Sequence, residues 1–134
     1  MIYEGLGFPI HIENAPIKTL LGEPVLDLNL EWLQRTAFGL LLDSSFRLTG
    51  SQVRFVRHHL ELTQAKSAEM LGLANHSVVS QWEKRADAAA GMDKSVETLL
   101  RLHMAKSRGD DASIKRWLER KLSEGLARVE LKAS

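Results

Sequence analysis

The sequence predicts a mainly α-helical protein, in which a small N-terminal β-hairpin plus helix precedes a bundle of short helices. Three observations carry this reading. Gly5, Gly7, Pro9, Pro16, Gly22 and Pro24 break residues 1–28 into short apolar pieces, the punctuation of strands and turns. From Asn29 onward apolar residues recur three and four apart, the period of amphipathic helices. Within that half, Leu62 to Glu83 reads as two short helices joined by a tight turn.

In the first piece Ile10, Ile12 and Ile17 to Leu21 alternate or cluster as strands, and Val25-Leu26-Asp27-Leu28 reads as another. Gly22-Glu23-Pro24 is the expected turn between antiparallel strands. A hairpin or a three-stranded sheet fits. Either is marginal alone in water, so it is expected to lean on a helix. Asn29 is placed to cap that helix, with Glu31 favoured by the helix dipole in its first turn. Leu33, Ala37, Leu40 and Leu41 form its apolar stripe, with Trp32 and Phe38 beside it, and Asp43-Ser44-Ser45 ends it. Residues 1–46 carry two basic and six acidic residues, a net charge of −4, which leaves +5 on the remainder.

Thr49 with Gln52 three residues later makes a capping box. Val53, Val56 and Leu60 form the inward stripe of the next helix. Phe55 lies almost opposite them and is expected to meet the N-terminal piece or a second subunit, unless it is a singly exposed aromatic. Thr63 caps the following helix, whose inward residues are Ala68 and Leu71. Gly72 suits a left-handed helix end, and Leu73 is expected in the core. Asn75 caps the second helix of the pair, with Val79 and Trp82 inward. His76, Ser77, Ser80 and Gln81 face outward near its start. Such a face, uncharged and rich in hydrogen-bonding groups, suits the DNA major groove.

Thr-Gln-Ala-x-x-Ala-x-x-Leu-Gly at 63–72, followed by Val-Ser-Gln-Trp-Glu at 79–83, resembles the helix-turn-helix of the Xre / Cro–repressor family. The stretch from Gly72 to Trp82 is one residue longer than the commonest spacing there. The resemblance runs from about Leu48 to Glu83 and loosely to Met104. It implies a repressor-like helix-turn-helix bundle, an ion pair between Arg57 and Glu83, and a Gln64 that holds a phosphate. The layout of the N-terminal piece, from Gly5-Leu6-Gly7-Phe8-Pro9 to Arg47-Leu48-Thr49-Gly50, resembles regulators related to the MqsA-type antitoxins. Those carry a zinc-binding region built on cysteine pairs, and this chain has no cysteine.

On the recognition helix His76, Ser77, Val78 and Gln81 are the expected groove-facing residues, with Asn75 at its start. Glutamine can read adenine by paired hydrogen bonds, and valine can touch a thymine methyl. Lys84 and Arg85 at the helix end suit phosphates. The plainer alternative is that His76 and Ser77 only cap the helix. After Ala86–Asp93, a small-residue connector or a helix extension, Asp93 is placed to cap a helix striped by Val96, Leu99, Leu100 and His103, with Met104 adjacent. A last helix starts near Ala112. Its stripe of Ile114, Trp117, Leu118, Leu122, Leu126 and Val129 needs a partner surface, in its own domain or across a two-fold seam.

The composition is that of an ordinary soluble protein, 44% hydrophobic and 26% charged over 134 residues. That length bounds it to one domain, or one small domain with an appendage. No apolar run approaches the roughly 20 residues that span a bilayer, and Met1-Ile2-Tyr3-Glu4-Gly5 has no secretory pattern. A cytoplasmic protein is expected. His11 with Glu13, and His58, His59 and Glu61, are not filled ligand sets, so no metal is expected. No cofactor motif or catalytic spacing is readable, and no enzymatic activity is expected. The organisation read from sequence is an αβ appendage over 1–46, a DNA-binding domain over 47–107 and a C-terminal amphipathic helix over 108–134. The expected function is a bacterial transcriptional repressor that binds a palindromic operator in double-stranded DNA as a homodimer. One alternative is an antitoxin that binds and neutralises a toxin through its N-terminal region while autoregulating its operon; another is a protein-interaction module that keeps the helix-turn-helix fold without binding DNA.

Overall fold

The computed structural model describes residues 2–13, 17–27, 29–109, 112, 114–120 and 123. The protein is mainly helical, as expected, with small antiparallel strand pairs at the N-terminal end. The order is β1 (Ile2–Tyr3), β2 (Ile10–His11), β3 (Ile17–Leu20), β4 (Glu23–Leu26), α1 (Leu30–Asp43), α2 (Gly50–His59), α3 (Gln64–Met70), α4 (His76–Lys84) and α5 (Lys94–Ser107). Residues 114–120 are helical as well. The chain divides into two compact units, residues 1–92 and 93–134, and α5 falls in the second.

The strands form two separate pairs rather than one three-stranded sheet. β1 pairs with β2, and β3 with β4. Ile12 lies outside the strands. The β3–β4 turn is Leu21-Gly22, not Gly22-Glu23-Pro24. Both of its residues take positive φ, 53° and 82°, the geometry whose twist matches a two-residue hairpin. Pro24 sits inside β4, opposite Thr19. Leu20 and Glu23 flank the turn as a hydrogen-bonded pair, so the Thr19–Pro24 pair is a non-bonded one and needs no N–H from proline. The β3 strand is not buried on a helix: all four of its residues are exposed, and Leu21 at the hairpin tip is 97% exposed, while Val25 of β4 is half-buried.

Helix α1 starts where the sequence places it, with Asn29 Oδ1 accepting from the Trp32 N–H at 3.0 Å. Its buried side is Leu33, Ala37, Phe38, Leu41 and Leu42. Leu40, expected in the stripe, is 62% exposed. At roughly 100° per residue, Phe38 and Leu42 pull the centre of the buried arc towards Leu41 and away from Leu40. Phe38 is a core residue rather than a flanking one.

The core of the first unit is organised around α2. Its capping box closes both ways, with Thr49 Oγ1 accepting from Gln52 N–H at 3.2 Å and Gln52 Oε1 accepting from Thr49 N–H at 2.9 Å. Val53 and Val56 are buried, and Leu60 is half-buried just beyond the helix end. Phe55 is buried too and meets the N-terminal piece: its ring lies edge-on to Phe8, centroids 5.2 Å apart. Such a pair is worth about 0.5–1.5 kcal/mol beyond its burial. His59 stacks on Phe38 at 4.3 Å and lies 5.9 Å from Phe55. The Phe8–Phe55–His59–Phe38 cluster therefore ties residues 1–46 to α2.

Residues 86–90 are a connector, not a helix extension. They fold back along the start of α2: Gly50 N–H donates to Ala88 C=O at 3.1 Å, Ser51 N–H to Ala86 C=O at 3.0 Å, and Ala90 N–H to Leu48 C=O at 2.9 Å. Ala86 is left-handed, with φ 49°. Arg47 donates to the carbonyl of Met92.

In the second unit, Asp93 occupies the cap of α5 but its side chain makes no capping hydrogen bond. The buried side of α5 is Glu97, Leu100, Arg101, Met104 and Ala105. Val96, Leu99 and His103 are half-buried, so the stripe is rotated from the expected one. Two charged residues lie in it because they are an i, i+4 ion pair, Arg101 Nη1 to Glu97 Oε1 at 3.4 Å, and buried charges are tolerated when paired. Trp117 is buried, Ile114 half-buried and Leu118 exposed. Leu122, Leu126 and Val129 lie outside the described residues. Among the described residues no helix is long and apolar enough to cross a membrane.

Candidate functional site

The α3–α4 pair is built from three local signals. Thr63 caps α3, its hydroxyl accepting from the Lys66 N–H at 3.1 Å. Leu71 ends the helix, and Gly72 follows with φ +71°, a conformation that costs a residue with a Cβ about 1–2 kcal/mol. The left-handed step lets Gly72 N–H reach Glu69 C=O at 3.1 Å and Leu73 N–H reach Ala68 C=O at 2.8 Å. Leu73 itself is half-buried, less enclosed than expected. Asn75 is extended and caps α4, accepting from the Ser77 N–H at 2.9 Å.

Ala68, Leu71, Val79 and Trp82 are buried and hold the two helices to the rest of the unit. Arg57 on α2 braces α4 from beneath. Its Nε donates to Glu83 Oε2 at 2.8 Å and its Nη2 to Glu83 Oε1 at 2.9 Å, a two-point contact. Its Nη1 also donates to Leu62 C=O at 2.9 Å. The two side chains are 13% and 7% exposed. At that burial the fork geometry fixes orientation as well as charge, so α4 has a defined roll.

That roll decides which sequence candidates face solvent. Ser77, Gln81 and Lys84 recur at i, i+4, i+7 and are all exposed, opposite Val79 and Trp82. His76 is exposed at the edge of this face, and Val78 is half-buried at the other edge. Asn75 and Ser77 are partly spent on the cap, since the Ser77 hydroxyl also donates to Asn75 Oδ1. The Asn75 amide N–H groups and the lone pairs of Ser77 Oγ are what they still offer outward. Gln64 is the first residue of α3 and half-buried. Arg85 follows α4 as its C-cap and is exposed. Its guanidinium passes over Gly91, where a Cβ would lie 3.3 Å from Arg85 Cζ. The absence of a side chain at Gly91 leaves room for it.

The eight candidates thus fall on one pair of helices, as three groups. Gln64 lies at the start of α3. Asn75, His76, Ser77, Val78 and Gln81 lie on the leading turns of α4. Lys84 and Arg85 lie at its end. Neither cation of the last group has an ion pair among the described residues. Lys66 is close by but 3.6 Å from Glu69. The surface offers donors and acceptors with a modest positive edge. Among the described residues no three His, Cys, Asp or Glu side chains are grouped to hold a metal.

Sequence reasoning overlooked Phe8 and His59. The former sits in a Gly/Pro-rich stretch with no periodicity to give it away. The latter reads from sequence as a metal-ligand candidate, whereas its ring packs against Phe38 and Phe55. No protein-family model matches the chain, and no curated protein or solved structure matches it.

Proposed function

We propose that the protein is a sequence-specific DNA-binding transcriptional regulator of the Xre / Cro–repressor type, acting as a repressor on a palindromic operator. The observation that carries this reading is the exposed line of Ser77, Gln81 and Lys84 on a helix whose roll is fixed by the buried Arg57–Glu83 pair. An uncharged hydrogen-bonding face of this width suits base edges, with Gln81 reading adenine. Lys84, Arg85 and the backbone N–H of Gln64 supply phosphate contacts. A homodimer would set two such helices roughly 34–36 Å apart, one turn of DNA.

The test is fluorescence anisotropy of the full chain on DNA from upstream of its own gene, at two salt concentrations. Specific binding that weakens with salt, and is lost in His76→Ala/Gln81→Ala with unchanged thermal unfolding, supports the reading. Equal affinity for that DNA and for random DNA would count against it.

A second reading has its own support. The β3–β4 hairpin presents Ile17, Leu20 and Leu21 to solvent within a segment of net charge −4. An exposed apolar tip in a segment of negative net charge suits a basic protein partner, which is how an antitoxin would hold a toxin. Stoichiometric co-purification with the product of an adjacent gene, abolished by Ile17→Asp/Leu21→Asp, would favour it. Its absence on co-expression would remove it.

A further inference from the structure

Helix α2 has a second working side, the one that carries Ser51, Arg54, Phe55 and His58. With Gln34 of α1 and the turn around Gly7, these residues line a half-open cleft of about 310 Å³. Small-molecule sites span roughly 300–1,000 Å³, so the cleft suits a small ligand. A second lobe of about 250 Å³ shares Gln34, Phe55 and His58 with it and adds Glu61.

We propose that this cleft binds a small aromatic carboxylate. Arg54 sets the charge. It is exposed, and it has no hydrogen bond or ion pair among the described residues. No carboxylate lines the first lobe. A guanidinium matches a carboxylate through two parallel N–H donors, and here binding would break no existing pair. Neutral donors surround it. The side chains of Gln34 and Ser51 make no hydrogen bond among the described residues, so both can turn to a ligand at no cost in lost partners. His58 Nε2 lies 3.3 Å from Arg57 Nη2. The His58 ring adds a further polar group to the cleft lining.

The aromatic half of the ligand follows from Phe55. Phe55 lines both lobes of the cleft, and its ring is held in place by Phe8 and His59, which presets an aromatic residue for offset or edge-on stacking. Glu61 fixes the direction. It would repel an anion in the second lobe, so the carboxylate belongs at the Arg54 end and the ring towards Phe55.

The experiment is a ¹H–¹⁵N NMR titration of the full chain with sodium benzoate at constant ionic strength. Benzamide and benzylamine, of similar shape but neutral and cationic, are titrated in parallel. Saturable shifts confined to residues 5–7, 34 and 51–58 are expected, with the two controls at least tenfold weaker. Arg54→Gln should weaken benzoate at least tenfold while leaving thermal unfolding unchanged, since the Arg54 side chain has no partner to lose. Equal binding of benzamide, shifts scattered elsewhere, no saturation, or an undiminished affinity in Arg54→Gln would each overturn the proposal.

Discussion

Gly50→Ala should destabilise the fold, although helix propensity argues the opposite. Gly50 opens α2 with a φ that any residue adopts, and alanine in a helix gains up to about 1 kcal/mol over glycine. The surroundings reverse the sign. An alanine Cβ at 50 would fall 2.8 Å from Ala86 N and 3.0 Å from Glu83 O, and closer still to Trp82 O. All three are backbone atoms at the end of α4, so no side chain can rotate away. α4 is anchored by buried Val79 and Trp82, and the connector by the Gly50, Ser51 and Ala90 hydrogen bonds. Relief requires α2 and α4 to part by several tenths of an ångström. Overpacking of this kind costs about 1–3 kcal/mol, and losing the Gly50–Ala88 hydrogen bond adds about 1 kcal/mol. Net of the propensity gain, the loss is about 1–3 kcal/mol. For a chain of this size that corresponds to a fall in Tm of roughly 4–12 °C. Urea unfolding and thermal melts followed by far-UV circular dichroism measure it. A Tm that is unchanged or raised would refute the close approach of α2 and α4 at this point.

Glu83→Ala should cost about 3 kcal/mol, because Arg57 is left nearly buried without its counter-charge. Arg57→Met/Glu83→Met should cost clearly less than the sum of its single variants, and additivity in a double-mutant cycle would show that the pair is not coupled. Ser67→Ala should raise stability by about 1 kcal/mol, read as a higher urea midpoint, since Ser67 Oγ is buried with no hydrogen-bond partner among the described residues and alanine is the better helix former. A lower midpoint would mean that the hydroxyl has a partner in solution. Leu40→Lys should stay within about 0.5 kcal/mol of wild type, while Leu41→Ala, one residue on, should lose about 2–5 kcal/mol. Similar losses at both positions would place Leu40 in an interface.

Much of this fold was legible because its signals are local. Asn29, Thr49, Thr63 and Asn75 each cap the helix the sequence assigned them, and a cap needs only a short polar side chain two or three residues from an orphan N–H. Gly72 is left-handed for an equally local reason. The same holds for the outward line on α4, which follows from 3.6-residue periodicity once Val79 and Trp82 are taken as inward. The capping demand also explains why Asn75 and Ser77 have less to offer a ligand than their side chains suggest, where the sequence leaves a capping role open for His76 and Ser77.

Tertiary structure decided what depends on neighbours far along the chain. Leu40 and Phe38 exchanged places between stripe and flank because the arc that α1 buries is set by what packs against it, and periodicity defines an arc only to within a residue or two. Pro24 could enter a strand because its partner across the hairpin asks for no N–H, a matter of register that composition does not reveal. Glu97 and Arg101 pair locally, but that this side of α5 is the buried one is set by packing, whereas sequence patterning reads charge as surface. Gly50 is the sharpest case. By sequence it is an indifferent first residue of a helix; it is required because the backbone of residues 82–86, more than thirty positions away, comes too close to admit a single methyl group.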